Sequence, residues 1–301
     1  MRPQFQERHH DYVLGPLQDP RLANVAAGAV IEGVDLTLDT DAPFLLRGRA
    51  VRQAYSARLT QAGLQFLKTR WTGPDKDYRQ QDFIFESLQM AYFGQGANPK
   101  PIFPQIYYPA GSVLRVDLWN TGAAPITNLT FYFRGVKLFP WGSVPAYTYP
   151  PKFAGLTFSY PFTVLALGPA EIRYNQAWIN KTGADFVLRA GQAGPVTVGL
   201  AQAVTMEVFF RLKDHQYKPF SNDFVHIDIL FGSGNMPPTI PFGPVPAFIP
   251  PIETGPTLPG LFYPEIYVKK DEQLFYDVMR ADPAGNVNVS FNFIGQKVFP
   301  K

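Results

Sequence analysis

The fold is decided by a stretch that the sequence contains twice. Residues 102–140 read IFPQIYYPAGSVLRVDLWNTGAAPITNLTFYFRGVKLFP, and residues 262–300 read FYPEIYVKKDEQLFYDVMRADPAGNVNVSFNFIGQKVFP. The two rows align without a gap over 39 positions at an offset of 160 residues, and 13 of these positions are identical. We therefore interpret the two halves of the chain as copies of one domain.

Each row carries the spacing of a strand. Phe131 and Phe133 lie two positions apart, and the matching phenylalanines in the second row do the same. A spacing of two is typical of strands with one buried face, so these rings are predicted to be core residues. Gly135 and Gly295 follow, and we predict that the chain bends sharply there, at a positive φ angle that glycine tolerates.

Shorter matches precede the long one in both halves, at an offset of 141 or 142 residues. They join 41–47 to 184–189, 64–71 to 206–212, and 82–84 to 223–225. With six or seven strands in each copy, the pattern predicts an all-β chain. It consists of two tandem, duplicated antiparallel β-sandwich domains of jelly-roll type, with proline-rich arms.

The composition favours strands and leaves two interpretations of the surface open. The 301 residues include 30 prolines and 25 glycines, which helix interiors tolerate poorly. Charged residues make up 17% and aromatic residues 15% of the chain, whereas an average soluble protein has roughly 25% charged residues. Either a thick sandwich core or a surface that packs against other subunits explains this balance.

Several classes of function receive no support from the composition. The chain has no cysteine and a net charge of +3, so we predict no disulfide, no thiolate chemistry and no nucleic-acid partner. The N-terminus lacks the apolar region of a secretory signal, and no apolar run reaches the length of a membrane helix. We expect a soluble protein that is made in the cytoplasm, without a cofactor or a membrane partner.

The repeat divides the chain into four parts. Residues 1–26 have no counterpart and are predicted to be an N-terminal arm, ordered only when it docks on a neighbour. The first sandwich is expected over 27–140, a linker rich in proline and aromatic residues over 141–163, and the second sandwich over 164–301. The second sandwich also contains a long proline-rich loop, residues 234–260.

This loop supplies the candidate interaction site. It contains nine prolines and, among its large apolar side chains, Ile240, Phe242, Val245, Phe248 and Ile249. A proline-stiffened segment loses less entropy on docking, so we predict that the loop binds a neighbouring subunit. The alternative is a loop that folds over the edge of its own sandwich.

No catalytic motif is present, and the polar clusters have simpler explanations. The sequence lacks the nucleophile elbow, the P-loop, the Rossmann fingerprint and the zinc-protease helix. His9 and His10 would point to opposite sides of an extended segment, which makes a poor metal site. Asp35, Asp39 and Asp41 could share a calcium ion, but solvated strand carboxylates are the preferred interpretation.

The repeat itself also argues against a site in each copy. Asp117 and Asp277 occupy matching positions between apolar neighbours, and we predict that they point outward without a chemical role. None of the four tryptophans repeats between the copies. This weighs against a duplicated sugar-binding site, which would need exposed aromatic rings at equivalent places.

Residues 103–120 and 135–140 carry a resemblance to a known class of protein, and the second copy carries it more loosely. Their pattern resembles β-sandwich structural proteins of tailed bacteriophages, of the minor capsid, decoration, vertex or collar type. The resemblance implies a non-enzymatic component of the virion, assembled in the host cytoplasm. Its partners would be further copies of the chain, for which a trimer offers six similar faces, and other virion proteins.

Two alternatives stay open at this stage. A double jelly-roll major capsid protein also places two β-barrels in one chain. A duplicated carbohydrate-binding or adhesion module is the non-viral alternative.

Overall fold

The structure is a computed structural model. It describes residues 5–53, 66–71, 100–140, 154–198, 201–202, 208–230, 260–281 and 285–299. Almost all of these residues are in strands or tight turns. The described helices are one 3-10 turn, Pro20–Ala23, and one α-helical turn, α1, Ile227–Leu230.

The first half contains nine strands within the described ranges. They are β1 Phe5–Leu14, β2 Asn24–Val25, β3 Val30–Thr37, β4 Phe44–Gln53, β5 Leu67–Trp71, β6 Lys100–Tyr108, β7 Val113–Asn120, β8 Ile126–Thr127 and β9 Leu129–Pro140. One sheet has the order β1-β9-β4-β6 and the other β3-β7-β5, and β2 and β8 form a short separate pair. All of these pairings are antiparallel.

The described part of the second half also contains nine strands. They are β10 Ala154–Leu167, β11 Ile172–Ile179, β12 Asp185–Val198, β13 Ala201–Gln202, β14 Val208–Lys213, β15 Val225–His226, β16 Gly260–Val268, β17 Gln273–Arg280 and β18 Val287–Phe299. One sheet has the order β10-β18-β12, with β16 and β13 also paired to β12. The other sheet has the order β11-β17-β14-β15.

The two halves share one topology. In each half the first long strand pairs with the last, and the last strand pairs with the strand that carries Phe44 or Phe186. Two stacked antiparallel sheets with this order form a jelly roll. The predicted all-β fold of two tandem antiparallel sandwiches is therefore confirmed, while the origin of the halves by duplication stays a prediction.

The phenylalanines of the repeated stretch lie in the core, as predicted. Phe131 and Phe133 are fully buried between the two sheets of the first half, and Phe291 and Phe293 are equally buried in the second. The period of two in the sequence therefore identified the correct strand face.

Gly135 and Gly295 are needed for a different reason from the one predicted. Both lie within long strands rather than at a bend, and neither is among the residues with positive φ. A Cβ atom on Gly135 would clash with the carbonyl oxygen of Leu45, and one on Gly295 would clash with that of Val187. Both sites lie beside a register shift, between Leu46 and Gly48 in β4 and between Leu188 and Ala190 in β12, as at a β-bulge.

The predicted arm and linker are wrong for the described residues in those ranges. Residues 5–14 of the expected arm form β1, which pairs with β9 along its whole length. Residues 154–163 of the expected linker belong to β10, which pairs with β18. Each segment is thus a strand of its own jelly roll. Residues 141–153 of the linker lie outside the described ranges.

Candidate functional site

The predicted interaction residues Ile240, Phe242, Val245, Phe248 and Ile249 lie outside the described residues, so their role stays a prediction. Several buried charged residues of the described part lie instead where the two halves of the chain meet. We call this region the interhalf interface. It includes residues 8–13 of β1, Ala50 and Tyr132 of the first half, and residues 214–222 and Phe262 of the second half.

The second half completes the outer edge of β1. The Asp11 backbone N–H donates to the carbonyl oxygen of Phe220 at 2.9 Å, and the Asn222 N–H donates to the Asp11 carbonyl at 3.3 Å. The Asn222 side chain adds two bonds to the backbone of Val13, at 2.7 and 3.1 Å. The edge of the first sheet is therefore covered by the chain itself, which prevents pairing with other strands.

Arg8 reaches across the interface to the turn that follows β14. Its Nη2 atom lies 3.2 Å from Asp214 Oδ2 and donates to the Lys218 carbonyl oxygen at 2.8 Å. The guanidinium group also lies 4.7 Å from the centre of the Phe220 ring. Asp214 Oδ1 accepts the backbone N–H groups of Gln216 and Lys218. Asp214 therefore stabilises the turn at residues 214–218, and Arg8 binds this turn to the first half.

Asp11 is a buried carboxylate that is fully committed to partners. Its side chain accepts hydrogen bonds from Arg134 at 3.0 Å and pairs with His9 Nε2 at 3.2 Å. Burial alone would raise the pKa of Asp11, but the interactions with Arg134 and His9 hold it well below its usual range. The His9 ring in turn meets the Phe262 ring edge-on at 5.7 Å.

The centre of the contact between the halves is apolar. Val13, Tyr132 and Ala50 lie opposite one another across β1, β9 and β4. All three belong to the same buried cluster as the core residues of the second half. The outer face of the first sheet is therefore covered by the second jelly roll. Buried apolar area and the buried Arg8–Asp214 ion pair together fix the orientation of the halves.

His10 points to the opposite side of β1 from His9, as predicted. Its ring lies 4.5 Å from that of Tyr12, and its Nε2 atom is 3.7 Å from Asp39. Burial, followed by the charge of nearby Lys137, lowers the pKa of His10 well below 6.5, although Asp11 opposes this. Lys137 binds Asp39 and Asp41, at 2.5 and 2.9 Å, so these two carboxylates are ion-paired rather than merely solvated.

The lowered pKa values of His10 and Asp11 predict that acid destabilises the folded protein. His10 and Asp11 both have folded pKa values below their ordinary ones, so the unfolded chain binds more protons as the pH falls. Their contribution is complete above the ordinary pKa of each group. It is lost as the pH falls from 6.5 for His10 and from 3.8 for Asp11. Urea titrations between pH 7.5 and 4 measure the part of this slope that His10 causes.

Two histidine variants test whether His10 causes the dependence of stability on pH. His10→Phe should flatten the loss of stability between pH 7 and 5, because it removes the buried group that binds a proton only on unfolding. His215→Gln removes a half-exposed imidazole and serves as the comparison variant. Equal slopes in the parent and in His10→Phe would show that His10 does not cause the loss.

Asp117 and Asp277 are buried, so the prediction that they point outward is wrong. Asp117 accepts the backbone N–H of Gly33 at 2.8 Å and the Nε–H of Arg70 at 3.1 Å. Gly33 has a φ of 66° and lies where β3 loses register with β7. The carboxylate thus stabilises a bulge in the neighbouring strand.

Asp277 does the same in the second half with one more partner. It accepts the N–H of Asn175 at 2.8 Å, Nη2 of Arg211 at 2.6 Å and Nζ of Lys213 at 2.7 Å. Asn175 has a φ of 51° at the irregular point of β11. Burial raises the pKa of Asp277, but the bonds from Lys213, Asn175 and Arg211 outweigh it and lower the pKa.

The partners that hold these two buried carboxylates are backbone N–H groups, arginines and a lysine. Among the described ranges, no group of three or more His, Cys, Asp and Glu residues is placed to hold a metal ion. None of the helices in the part of the chain that the structure describes has the length and apolar character that a membrane crossing requires. The contacts of the interhalf interface position the two halves against each other.

Among solved structures, the comparison found chains that are similar to this one at low identity. The sequence matched no protein-family model and no curated protein. The chain is similar to the STIV major capsid protein, with 11% identity, a TM-score of 0.25, and coverage of 96% of this chain and 97% of that one. A second similar chain comes from the atomic structure of Sulfolobus turreted icosahedral virus, with 11% identity, a TM-score of 0.27, and coverage of 96% and 91%.

A third similarity is weaker. It involves the tandem CBM22 domains of Xyn10C from Paenibacillus barcinonensis, with 8% identity, a TM-score of 0.16, and coverage of 92% and 94%. TM-scores of this size are too low to establish a shared fold. Neither virus structure comes from a tailed bacteriophage, so the resemblance to that class stays a prediction.

Proposed function

We propose that the chain is a non-enzymatic structural protein of a virus particle, and within that class a double jelly-roll capsid subunit. The observation that carries this proposal is the pairing of two jelly rolls of the same strand order through a buried interface. Viral capsids are among the main uses of the jelly roll. Since fold alone does not define function, the proposal rests on how the halves are joined.

The interhalf interface makes one rigid block from two jelly rolls. Arg8 and Asp214 form an ion pair across the interface, and both side chains are buried. Breaking such a pair is expensive, because a charge would be left buried without its partner. A shell needs subunits with a fixed shape, whereas tandem adhesion modules usually move about a linker.

The minor capsid, decoration, vertex and collar roles remain finer alternatives within the same class. The second jelly roll is as complete as the first and shares its core architecture, which favours a subunit that builds the lattice over one that decorates it. Its partners would be further copies of itself, with a trimer presenting six similar jelly rolls, and other virion proteins. It would be located in the virion, after assembly in the host cytoplasm.

The mass of the purified chain in solution tests this proposal. Light scattering should give a discrete multiple of 33.7 kDa over a range of concentrations. Replacing Pro244, Val245 and Phe248 by serine should weaken association without changing the far-ultraviolet circular dichroism, since apolar anchors dominate interface energy. Deleting residues 1–26 is not a suitable test, because it would remove β1 from its sheet.

A folded monomer at every concentration would contradict the proposal. Such a result would favour the duplicated carbohydrate-binding or adhesion module. Binding to a glycan array by that monomer would then support the alternative directly.

A further inference from the structure

The outer face of the sheet that contains β1, β9 and β4 is covered by the second jelly roll. The row formed by Val13, Tyr132 and Ala50 is buried against the second jelly roll. The same positions of the register in the second half are Pro161, Asn292 and Gln192, which lie opposite one another across β10, β18 and β12. This second face is the counterpart of the one that the interhalf contact buries.

The counterpart face is accessible within the described structure. On β10, Ser159, Pro161, Thr163 and Leu165 are exposed and alternate with side chains that face the core. On the central strand β18, five outward residues are half-buried: Asn288, Ser290, Asn292, Ile294 and Gln296. In the described residues, β10 has a strand neighbour on one side only, which is β18.

The chemistry of this face is that of an interface centre. None of these nine outward residues carries a charge, and the large apolar side chain of Leu165 is 63% exposed. Their polar groups already bond to one another, with Ser159 Oγ donating to Asn292 Oδ1 at 2.7 Å and Thr163 Oγ1 lying 3.2 Å from Ser290 Oγ. Depletion of charge distinguishes the centre of a protein interface from open surface.

We propose that this outer face of β10 and β18 is the docking site for the first half of a second copy of the chain. The occupant follows from the interhalf contact, in which one jelly roll covers the equivalent face of another. The second half already covers the first half of its own chain, so the jelly roll that repeats the arrangement comes from another copy. Such head-to-tail contacts close into rings when the rotation allows. This inference rests on the proposed function and names the surface through which the chain assembles.

A pair of arginine substitutions tests the site. Thr163→Arg places a charge in the middle of the face and should weaken association at least about tenfold, since burying an unpaired charge costs more than 1.4 kcal/mol. Ala177→Arg adds the same charge at an exposed position of β11 in the opposite sheet and should leave assembly unchanged. Sedimentation velocity over a concentration series measures both, and circular dichroism checks that both variants are folded.

A thiol probe gives a second readout that does not depend on weakening the assembly. The chain has no cysteine, so Thr163→Cys and Ala177→Cys each introduce a single thiol. In the assembled protein the thiol at 163 should react with a maleimide much more slowly than the thiol at 177. In diluted, dissociated protein the two should react at similar rates.

The outcomes separate the site from the proposed function. If the parent assembles and Thr163→Arg assembles equally well, the docking site is wrong and the structural role stands. Protection of the thiol at 163 in dissociated protein would show that a segment of the same chain covers the face, which also overturns the site. A parent that is monomeric at every concentration overturns both.

Discussion

Phe133→Ala should lower the free energy of unfolding by about 3–5 kcal/mol, the usual cost of removing a fully buried aromatic ring. Phe133 has no exposed surface and lies on β9, the strand that links β1 to β4 in the centre of the first sheet. Loss of the ring would leave a cavity between the two sheets that close packing cannot refill. Urea denaturation of the full chain measures the change.

Phe66→Ala provides the matched control. Phe66 is 43% exposed, so the same truncation there should produce a clearly smaller loss. If Phe133→Ala unfolds at the same urea concentration as the parent, the side chain cannot occupy the core, and the register of β9 would have to shift by one residue.

Asp277→Ala should also cost about 3–5 kcal/mol, because it leaves buried positive groups without their partner. Three donors meet this carboxylate: the Asn175 N–H, the Arg211 guanidinium and the Lys213 ammonium. Lys213 is buried as well. The bulge of β11 would lose the acceptor that holds it, so both the electrostatics and the local strand geometry would suffer.

Asp35→Ala is the control for this effect. Asp35 forms an equally short pair with Arg115, at 2.7 Å, but both side chains are more than a third exposed. An exposed ion pair contributes about 0–1 kcal/mol, so this variant should unfold close to the parent. Equal losses for Asp35→Ala and Asp277→Ala would contradict the role assigned to burial.

The acid dependence of Asp277 follows from the same contacts. Its folded pKa is lowered from 3.8, so its contribution is complete above that value and is lost as the pH falls through the lower folded value. Asp277→Ala should therefore be less sensitive than the parent to acid below pH 4, although it is less stable at neutral pH.

The strands of the repeated stretch could be predicted from sequence because local pattern and burial agree there. Phe131, Phe133 and their matches alternate with residues of the other face, and the structure buries them as the period of two requires. The repeat also singled out Gly135 and Gly295, but the sequence did not show why glycine is needed there. The close approach of Leu45 and Val187 depends on the partner strand, which sequence does not reveal.

β1 could not be recognised as a strand from sequence because it buries charged and imidazole side chains as well as apolar ones. Its sequence FQERHHDYVL places charged and imidazole side chains at positions that the structure buries. Arg8 and Asp11 are buried only because groups distant in sequence, Asp214 and Arg134, complete them. Only the apolar end, Tyr12 to Leu14, signals a strand, and it is too short to distinguish from a docked arm.

The buried aspartates were missed for a related reason. A carboxylate between apolar neighbours on a strand normally points to solvent, and the rule fails when an arginine on the next strand meets it. Arg70 and Arg211 occupy matching positions in the two halves. Arg70 lies opposite Asp117, and Arg211 lies opposite Asp277. This co-occurrence in the two halves is the signal that could have identified the pairs from sequence.

Electron microscopy of the purified full-length chain tests the central claim most directly. The account predicts closed rings or shells in which every repeating unit shows two similar lobes per chain, in the fixed relation that the interhalf interface imposes. Thr163→Arg should disperse these assemblies, and Ala177→Arg should not. Fields that contain only separate particles of the size of one chain, at all concentrations and for the parent as well, would contradict the claim that this protein builds a virus particle.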